Sequence, residues 1–66
     1  MTIIVNSQPK DLKSGATVES LVIELGLEKH PCAVEVNRQL VPKKKHPLHT
    51  LAEGDVVEIV TLVGGG

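Results

Sequence analysis

One segment of helical periodicity, ATVESLVIEL at residues 16–25, most constrains the fold, because the rest of the chain is patterned as strands and loops. Its apolar residues are spaced i, i+3, i+4 and i+7, which places them on one face of a helix. They are Val18, Leu21, Val22 and Leu25. Thr17 precedes them as an N-cap, and Gly26 follows as a C-terminal stop. The sequence predicts one amphipathic helix, with Ile23 outside its apolar stripe.

Segments on both sides of this helix are rich in β-branched residues or alternate between apolar and polar positions, as strands do. The predicted strands are TIIVN (2–6), PKDL (9–12), CAVEVN (32–37), QLV (39–41) and VVEIVTLV (56–63). Turns at Asn6–Ser7 and Asn37–Arg38 make two hairpins, and Pro9 is tolerated only at a sheet edge or at the start of a strand. Pro42 ends the fourth strand. The predicted order is β-β-α-β-β-β.

This order favours one α+β architecture. A strand-helix-strand crossover requires a parallel pairing in a mixed sheet, and right-handedness limits the arrangements. The first and last strands are apolar enough to lie side by side in the middle, with Val57 and Ile59 facing the helix. The sequence therefore predicts a β-grasp (ubiquitin-like) globule at residues 1–63, with a sheet of four to five strands, followed by a glycine tail at 64–66.

Composition excludes several functional classes. The 66 residues contain one cysteine and no aromatic residue, so a disulfide framework and a base-stacking platform are both absent. Seven Lys and Arg residues face eight Asp and Glu residues, which leaves no net field to attract nucleic acid or an anionic membrane. No apolar run resembles a signal peptide or a membrane span. We expect a soluble, cytoplasmic protein that is monomeric when free.

The segment KKKHPLHTLAEGD at residues 43–55 is predicted to be a loop, with Leu48 and Leu51 holding it to the core. His46 and His49 form an H-x-x-H pair, but no carboxylate or thiolate is expected to converge on them or on His30, so they are interpreted as solvated rather than as zinc ligands. The run at 43–45 is interpreted as a solvated face that alternatively steers an acidic partner or a phosphate.

Catalytic machinery is not predicted. Cys32 begins an alternating strand and is interpreted as a small core residue rather than as a reactive thiol. No Ser/His/Asp or Cys/His arrangement is apparent, and no glycine-rich phosphate loop opens a helix. The chain is therefore predicted to act on no substrate by itself, and no metal or cofactor is assigned to it.

One apolar patch is predicted on the sheet face opposite the helix. Strand alternation places Ile4, Val60 and Leu62 there, close to where the tail departs. Such a patch is typical of a partner-docking surface. The alternatives are scattered exposed aliphatic residues, which are common, or a face assignment that is wrong by one residue.

The sequence closes on TLVGGG, which places glycine where ordering the backbone is most costly. Either the end is tolerated slack, or the α-carboxylate of Gly66 is the functional group. A carboxylate is a poor electrophile until it is adenylated, after which a sulfur or nitrogen nucleophile displaces AMP. Without side chains, Gly64 and Gly65 thread a narrow channel, and the carbonyl of Gly66 stays open to attack.

Several motifs along the whole chain resemble the ubiquitin-like sulfur carrier family of thiamine (thiazole) biosynthesis. They are TIIVN, ATVESLVIEL, VEVNRQLVP, EGD before the last strand, and the terminal glycines. The segment VNRQLVP at residues 36–42 and the diglycine at 65–66 are the most specific. The third glycine, Gly64, departs from a plain diglycine but leaves the terminal position unchanged.

The resemblance implies a function in which other enzymes modify the chain. Gly66 would be adenylated by an E1-like (ThiF-type) activating enzyme that uses ATP and Mg²⁺. It would then become a thiocarboxylate, with sulfur that derives from cysteine through a donor such as a cysteine desulfurase. The sulfur acceptor would be thiazole synthase (ThiG-type).

Three alternatives stay open at this point. A terminal diglycine is shared with sulfur carriers for molybdopterin, cysteine or tRNA thiolation. It is also shared with protein modifiers that form isopeptide bonds, as ubiquitin does. The third alternative is a β-grasp interaction or RNA-binding module with an inert tail, although neutral charge and missing aromatic residues disfavour RNA.

Overall fold

The structure, a computed structural model, describes residues 1–61, so the end of the predicted globule at 62–63 and the predicted tail at 64–66 lie outside it. Five strands and one α-helix are formed within the described residues. They are β1 (Thr2–Val5), β2 (Gln8–Asp11), α1 (Val18–Glu24), β3 (Cys32–Val36), β4 (Gln39–Val41) and β5 (Val56–Thr61). A single 3₁₀ turn, Lys43–Lys45, follows β4. The predicted order of elements is confirmed.

The strands form one mixed sheet in the order β2-β1-β5-β3-β4. β1 and β5 pair in parallel, with Ile4 beside Val56 and Val5 beside Val57, while the other pairs are antiparallel. The first and last strands therefore occupy the middle of the sheet, as predicted. One helix against a five-stranded sheet of this topology is the β-grasp fold.

Both hairpins close through two-residue turns with positive φ at both central residues. The φ angles are 48° and 70° at Asn6 and Ser7, and 53° and 69° at Asn37 and Arg38. This is the signature of a type I′ turn, whose twist matches that of the flanking strands. Asn is among the residues that tolerate this conformation, which explains its place at the first position of each turn.

Helix α1 is capped by its own side chains and by a distant loop. Thr17 Oγ1 accepts from the Ser20 amide at 3.1 Å, and Ser20 Oγ accepts from the Thr17 amide at 2.8 Å, which forms a capping box. The next free amides, those of Val18 and Glu19, donate to the carbonyl oxygens of residues 49 and 46 at 3.0 Å each. The first four backbone amides of a helix have no partner within it. Here side chains satisfy two of them, and carbonyl oxygens of the loop satisfy the other two.

An aliphatic core lies between the helix and one face of the sheet. Its buried members are Ile3, Val5, Leu12, Val18, Leu21, Val22, Val34, Val36, Val41, Leu51, Val57 and Ile59. The predicted inward positions Val57 and Ile59 are confirmed. The prediction for Leu25 is wrong, because this residue is the helix C-cap and remains 36% exposed. The stripe turns away from the sheet in the last helical turn.

In the loop after β4, the burial of Leu48 and His46 is the reverse of what the sequence predicted. Leu51 is buried as expected, but Leu48 is 77% exposed and does not hold the loop to the core. His46 is buried instead, with 6% of its surface exposed, and is not a solvated loop histidine. With its proton on Nε2, the His46 ring donates to the Val41 carbonyl oxygen at 3.1 Å. The polar ring can be buried because this hydrogen bond satisfies it.

Candidate functional site

Strand β5 extends beyond its parallel neighbour on one side. The register between β1 and β5 ends at Val5 and Val57, while β5 continues to Thr61. On the other side, β5 pairs with the whole of β3, from Val57 beside Val36 to Thr61 beside Cys32. The strand that leads to the glycine segment is therefore held by β3 to its last described residue.

A side chain takes the place of β1 where that strand stops. The Asn6 amide group bonds both backbone groups of Ile59: Oδ1 accepts from its N–H at 2.8 Å, and Nδ2 donates to its carbonyl oxygen at 3.2 Å. In a continued parallel ladder these two bonds would come from two different residues of β1. Asn6 therefore continues the ladder along β5 for one more step.

The second hairpin supports the start of β5 in a related way. Asn37 Oδ1 accepts from the Val56 amide at 2.9 Å, and Asn37 Nδ2 donates to Asp55 Oδ1 at 3.0 Å. The other carboxylate oxygen of Asp55 accepts from the Ala52 amide at 2.8 Å, which closes the turn before β5. Both turn asparagines thus fix β5.

These two asparagines were not predicted as site residues, although the sequence holds a signal for them. Both hairpins contain the pattern Val-Asn-x-Gln, at residues 5–8 and 36–39. A pattern repeated at both turns indicates that the Asn side chain does more than tolerate a positive φ angle. The sequence pattern places both residues in turns but does not show which groups their side-chain amides bond.

Removing the Asn6 side chain is expected to loosen the end of β5. Asn6→Gly keeps the positive φ angle accessible but leaves the N–H and C=O of Ile59 without their partners. We expect a loss of about 1–3 kcal/mol of unfolding free energy and faster hydrogen exchange at the Ile59 amide.

Ser7→Gly is the matched control, because Ser7 shares the turn and the positive φ angle but forms none of these bonds. The two variants are compared by urea denaturation and by amide exchange. Equal denaturation midpoints for both would show that the Asn6 amide contributes nothing to β5.

The face of the sheet opposite the helix carries both apolar and acidic side chains; it is called the outer face below. Its central members are Ile4, Glu35, Val56, Glu58 and Val60. Glu35 and Glu58 lie directly opposite each other on β3 and β5, an arrangement of like charges that costs stability in a sheet. A partner that brings positive charge to this face would relieve that repulsion.

The predicted patch residues are not all neighbours on this face. Ile4 is half-buried beside Val56, whereas Val60 is 61% exposed and lies beside Ala33. Four residues of strand, or about 13 Å, separate Val56 from Val60, and Glu58 lies between them. Leu62 and the predicted site glycines Gly64, Gly65 and Gly66 lie outside the described residues. The docking role of the patch stays a prediction.

Of the three histidines and the one cysteine, His46 is buried and Cys32 packs against the core. Cys32 is half-buried against the core, as predicted for a small apolar residue. In the described part of the chain, no three His, Cys, Asp or Glu side chains lie where they could share a metal ion. No helix of residues 1–61 is long and apolar enough to cross a membrane.

The fold and the position of β5 define a class: a small β-grasp protein whose central strand leads directly into a glycine-rich segment. Comparison with known families narrows this class. The model of the ThiS family matches residues 3–66. The chain belongs to the ThiS family.

Individual relatives agree with this assignment. A "Sulfur carrier protein ThiS" of Thermus thermophilus is 36% identical over 61 residues, which cover 92% of this chain and 94% of the relative. A crystal structure of a thiamine biosynthesis protein (ThiS) from Geobacter metallireducens superposes with a TM-score of 0.83 at 26% identity, with full coverage of both chains.

A second kind of relative is longer. A "Thiazole synthase" of Paramagnetospirillum magneticum is 36% identical over all 66 residues, which make up 20% of its length. The chain spans about one fifth of the length of the thiazole synthases that it matches.

Proposed function

We propose that this protein is a sulfur carrier of thiamine biosynthesis and that it carries sulfur as a thiocarboxylate on Gly66. The observation that carries the proposal is the family match through residues 3–66, which includes the terminal glycines. Relatives named as ThiS sulfur carriers support it, since one of them is covered over 94% of its length. The protein is then a sulfur carrier on which other enzymes act, rather than a catalyst.

The proposed chemistry has two steps. A carboxylate oxygen of Gly66 attacks the α-phosphorus of ATP, pyrophosphate leaves, and an acyl adenylate forms. A hydrosulfide equivalent then attacks the carbonyl carbon, the carbon–sulfur bond forms, and AMP leaves with the original oxygen. ATP and Mg²⁺ belong to the E1-like activating enzyme. The sulfur comes from a donor system such as a cysteine desulfurase, whose persulfide sulfur a thiol reductant releases as hydrosulfide while the thiols are oxidised to a disulfide.

Glycine suits each of these steps. Three extended glycines span on the order of 10 Å, enough to reach into an enzyme's active site. Without a Cβ atom they adopt backbone conformations closed to other residues, and nothing shields the carbonyl carbon from a nucleophile. The proposal therefore assigns threading to Gly64 and Gly65 and modification to Gly66.

The described residues hold in place the strand that precedes the glycines. β5 is paired with β3 to Thr61 and is bonded by Asn6 at Ile59. A carboxylate that must reach a distant active site is positioned more reproducibly when the chain leading to it is fixed. This is the benefit of placing a functional group on a rigid element.

Thiazole synthase is the proposed sulfur acceptor. Two relatives that bear this name match the whole of this chain with one fifth of their own length. A region similar to a carrier within proteins of that name supports a working pair of carrier and synthase. The match to the ThiS family model favours this pathway over molybdopterin synthesis, cysteine synthesis or tRNA thiolation.

The outer face is the proposed docking surface for both enzymes, through Ile4, Val60 and Leu62. Val60→Asp is expected to weaken binding to the activating enzyme and to thiazole synthase by about 10-fold or more. Burying one such aliphatic side chain contributes roughly 1.5–3 kcal/mol, and the new carboxylate would have to lose its hydration in the interface. Calorimetric titration of each enzyme with the variant measures the change.

Ile23→Asp is the matched control, since Ile23 is an exposed aliphatic residue on the helix, away from the outer face. It should leave both affinities unchanged. Unaltered binding of Val60→Asp would remove Val60 from the docking surface, and loss of its cooperative unfolding transition would place that residue in the core.

Intact-mass spectrometry tests the proposed reaction. The protein is incubated with an activating enzyme of the E1-like class, ATP, Mg²⁺ and a sulfide source. We expect the mass to rise by the difference between one sulfur and one oxygen, with fragmentation placing the change on Gly66. An unchanged mass with an active enzyme contradicts the proposal, and an isopeptide conjugate to a target lysine would indicate a protein modifier instead.

A further inference from the structure

A groove runs along the β4 edge of the sheet, away from the strand end that leads to the glycines. It encloses about 490 Å³ between β4 and the loop that follows it. Its walls include Leu40, Pro42, Lys45, Leu48 and His49. No step of the proposed sulfur chemistry uses this groove.

The walls are unusually apolar for a free surface. Leu48 and Leu40, at 77% and 64% exposure, are the most exposed large hydrophobic side chains among residues 1–61, and both line this groove. Buried Val36 and Val41 also contribute to its lining. Leaving two leucines in water forgoes the stabilisation that their burial would give, which favours a surface that a partner covers.

The edge of β4 offers backbone hydrogen bonds to such a partner. Val36 and Gln39 flank the two-residue turn and form a hydrogen-bonded pair, so the next pair, Glu35 and Leu40, is not hydrogen-bonded. The N–H and C=O of Leu40 therefore point away from β3. β4 is an edge of the sheet, and no described strand lies beyond it.

The positive charge beside the groove indicates the kind of partner that would bind there. Lys45 lines the groove and closes a run of three lysines, Lys43–Lys45. Among residues 1–61 the only ion pair joins Lys10 to Glu24, at 2.8 Å, so these three lysines are not neutralised within the described chain. Positive charge beside an apolar groove complements an acidic and apolar ligand.

We propose that this groove binds an extended peptide segment of another protein, with alternating apolar and acidic residues, added as a strand beside β4. Leu40 supplies the backbone pairing, the two exposed leucines contact the apolar side chains, and Lys45 pairs with a carboxylate. Strand addition of this kind takes affinity from the main chain and specificity from alternate side chains. The proposal is independent of the carboxylate on Gly66.

A synthetic heptapeptide of alternating glutamate and valine, acetylated and amidated at its ends, is the probe. It is titrated into the full chain labelled with ¹⁵N, and backbone amide shifts and hydrogen exchange are recorded. We expect shifts at Leu40, Lys45 and Leu48, with slower exchange at the Leu40 amide. The same peptide with lysine in place of glutamate should bind at least threefold more weakly.

Substitutions in the groove then separate the contribution of apolar contact from that of charge. Leu48→Ser should raise the dissociation constant about 10-fold, in proportion to the lost apolar contact, and Lys45→Gln should raise it at least threefold. Both side chains are exposed, so the fold is retained. The controls are Ile23→Ser and Lys13→Gln, because both residues lie away from the groove. Each should leave the dissociation constant of the peptide unchanged.

Any of the following results would overturn the proposal. One is the absence of binding at millimolar peptide, or shifts that fall along β2 instead of β4. Another is equal affinity for the lysine peptide. The third is a doubled sedimentation mass of the chain alone that Leu48→Ser abolishes, which would assign the groove to a second copy of the chain.

Discussion

Leu21→Ala is expected to lower the free energy of unfolding by about 2–5 kcal/mol, the usual range for a leucine removed from a close-packed core. Leu21 has no exposed surface and lies in the middle of α1, where it faces the sheet. Small domains have only about 5–15 kcal/mol of total stability, so this one change removes a large share. Urea denaturation followed by circular dichroism measures it.

Ile23→Ala is the control for this experiment, because Ile23 lies two residues away on the same helix but is half-exposed. Its effect should stay well below that of Leu21→Ala, since much of its apolar surface already contacts water. Similar losses for the two variants would mean that the helix packs through a different face.

The second large effect concerns the proposed carrier terminus. Appending one alanine after Gly66, or replacing Gly66 with valine, should abolish adenylation by the activating enzyme. The added residue moves the carboxylate by roughly 3.5 Å, and the valine side chain crowds the carbonyl carbon that glycine leaves open. Exchange of labelled pyrophosphate into ATP measures the adenylation step alone.

The matched control carries the same extra alanine at the amino terminus, and it should be adenylated as well as the parent. All variants should unfold at the parent midpoint, because none of them alters the core. Normal adenylation of the protein extended after Gly66 would exclude its carboxylate as the reacting group.

Much of the fold was predictable because its signals are periodic. The spacing of Val18, Leu21 and Val22 identifies the buried helix face, and the alternation of Val34 with Val36 identifies the inward side of β3. Thr17 and Gly26 mark the helix boundaries through chemistry local to the chain. Pattern and capping together were enough to predict the order of elements and the pairing of β1 with β5.

The loop after β4 was not predictable in the same way. A 3₁₀ turn followed by irregular chain has no period, so the sequence does not show which side chain faces inward. A leucine at position 48 and a histidine at position 46 suggest the opposite of what is observed. The Val41 carbonyl oxygen decides the outcome, because it accepts a hydrogen bond that makes burial of the His46 ring favourable.

The candidate site was predictable in part. Strand alternation correctly predicted that Val60 is exposed. It could not show that Ile4 lies beside Val56 rather than beside Val60, because that depends on the parallel register of β1 and β5. The bonds of Asn6 to Ile59 join residues 53 positions apart. A contact so distant in sequence emerges only when both hairpins are folded.

The placement of β5 also determines how the molecule bears mechanical load. Strand β5 lies between β1 and β3, and its hydrogen bonds run across the strand direction. If an enzyme grips the globule while drawing the chain beyond Thr61 into a channel, the tension acts lengthwise along β5. The bonds on both flanks then resist in shear and must rupture together, whereas a peripheral hairpin would peel open bond by bond. The globule would thus resist tension applied to the chain beyond Thr61, because β5 is paired on both sides.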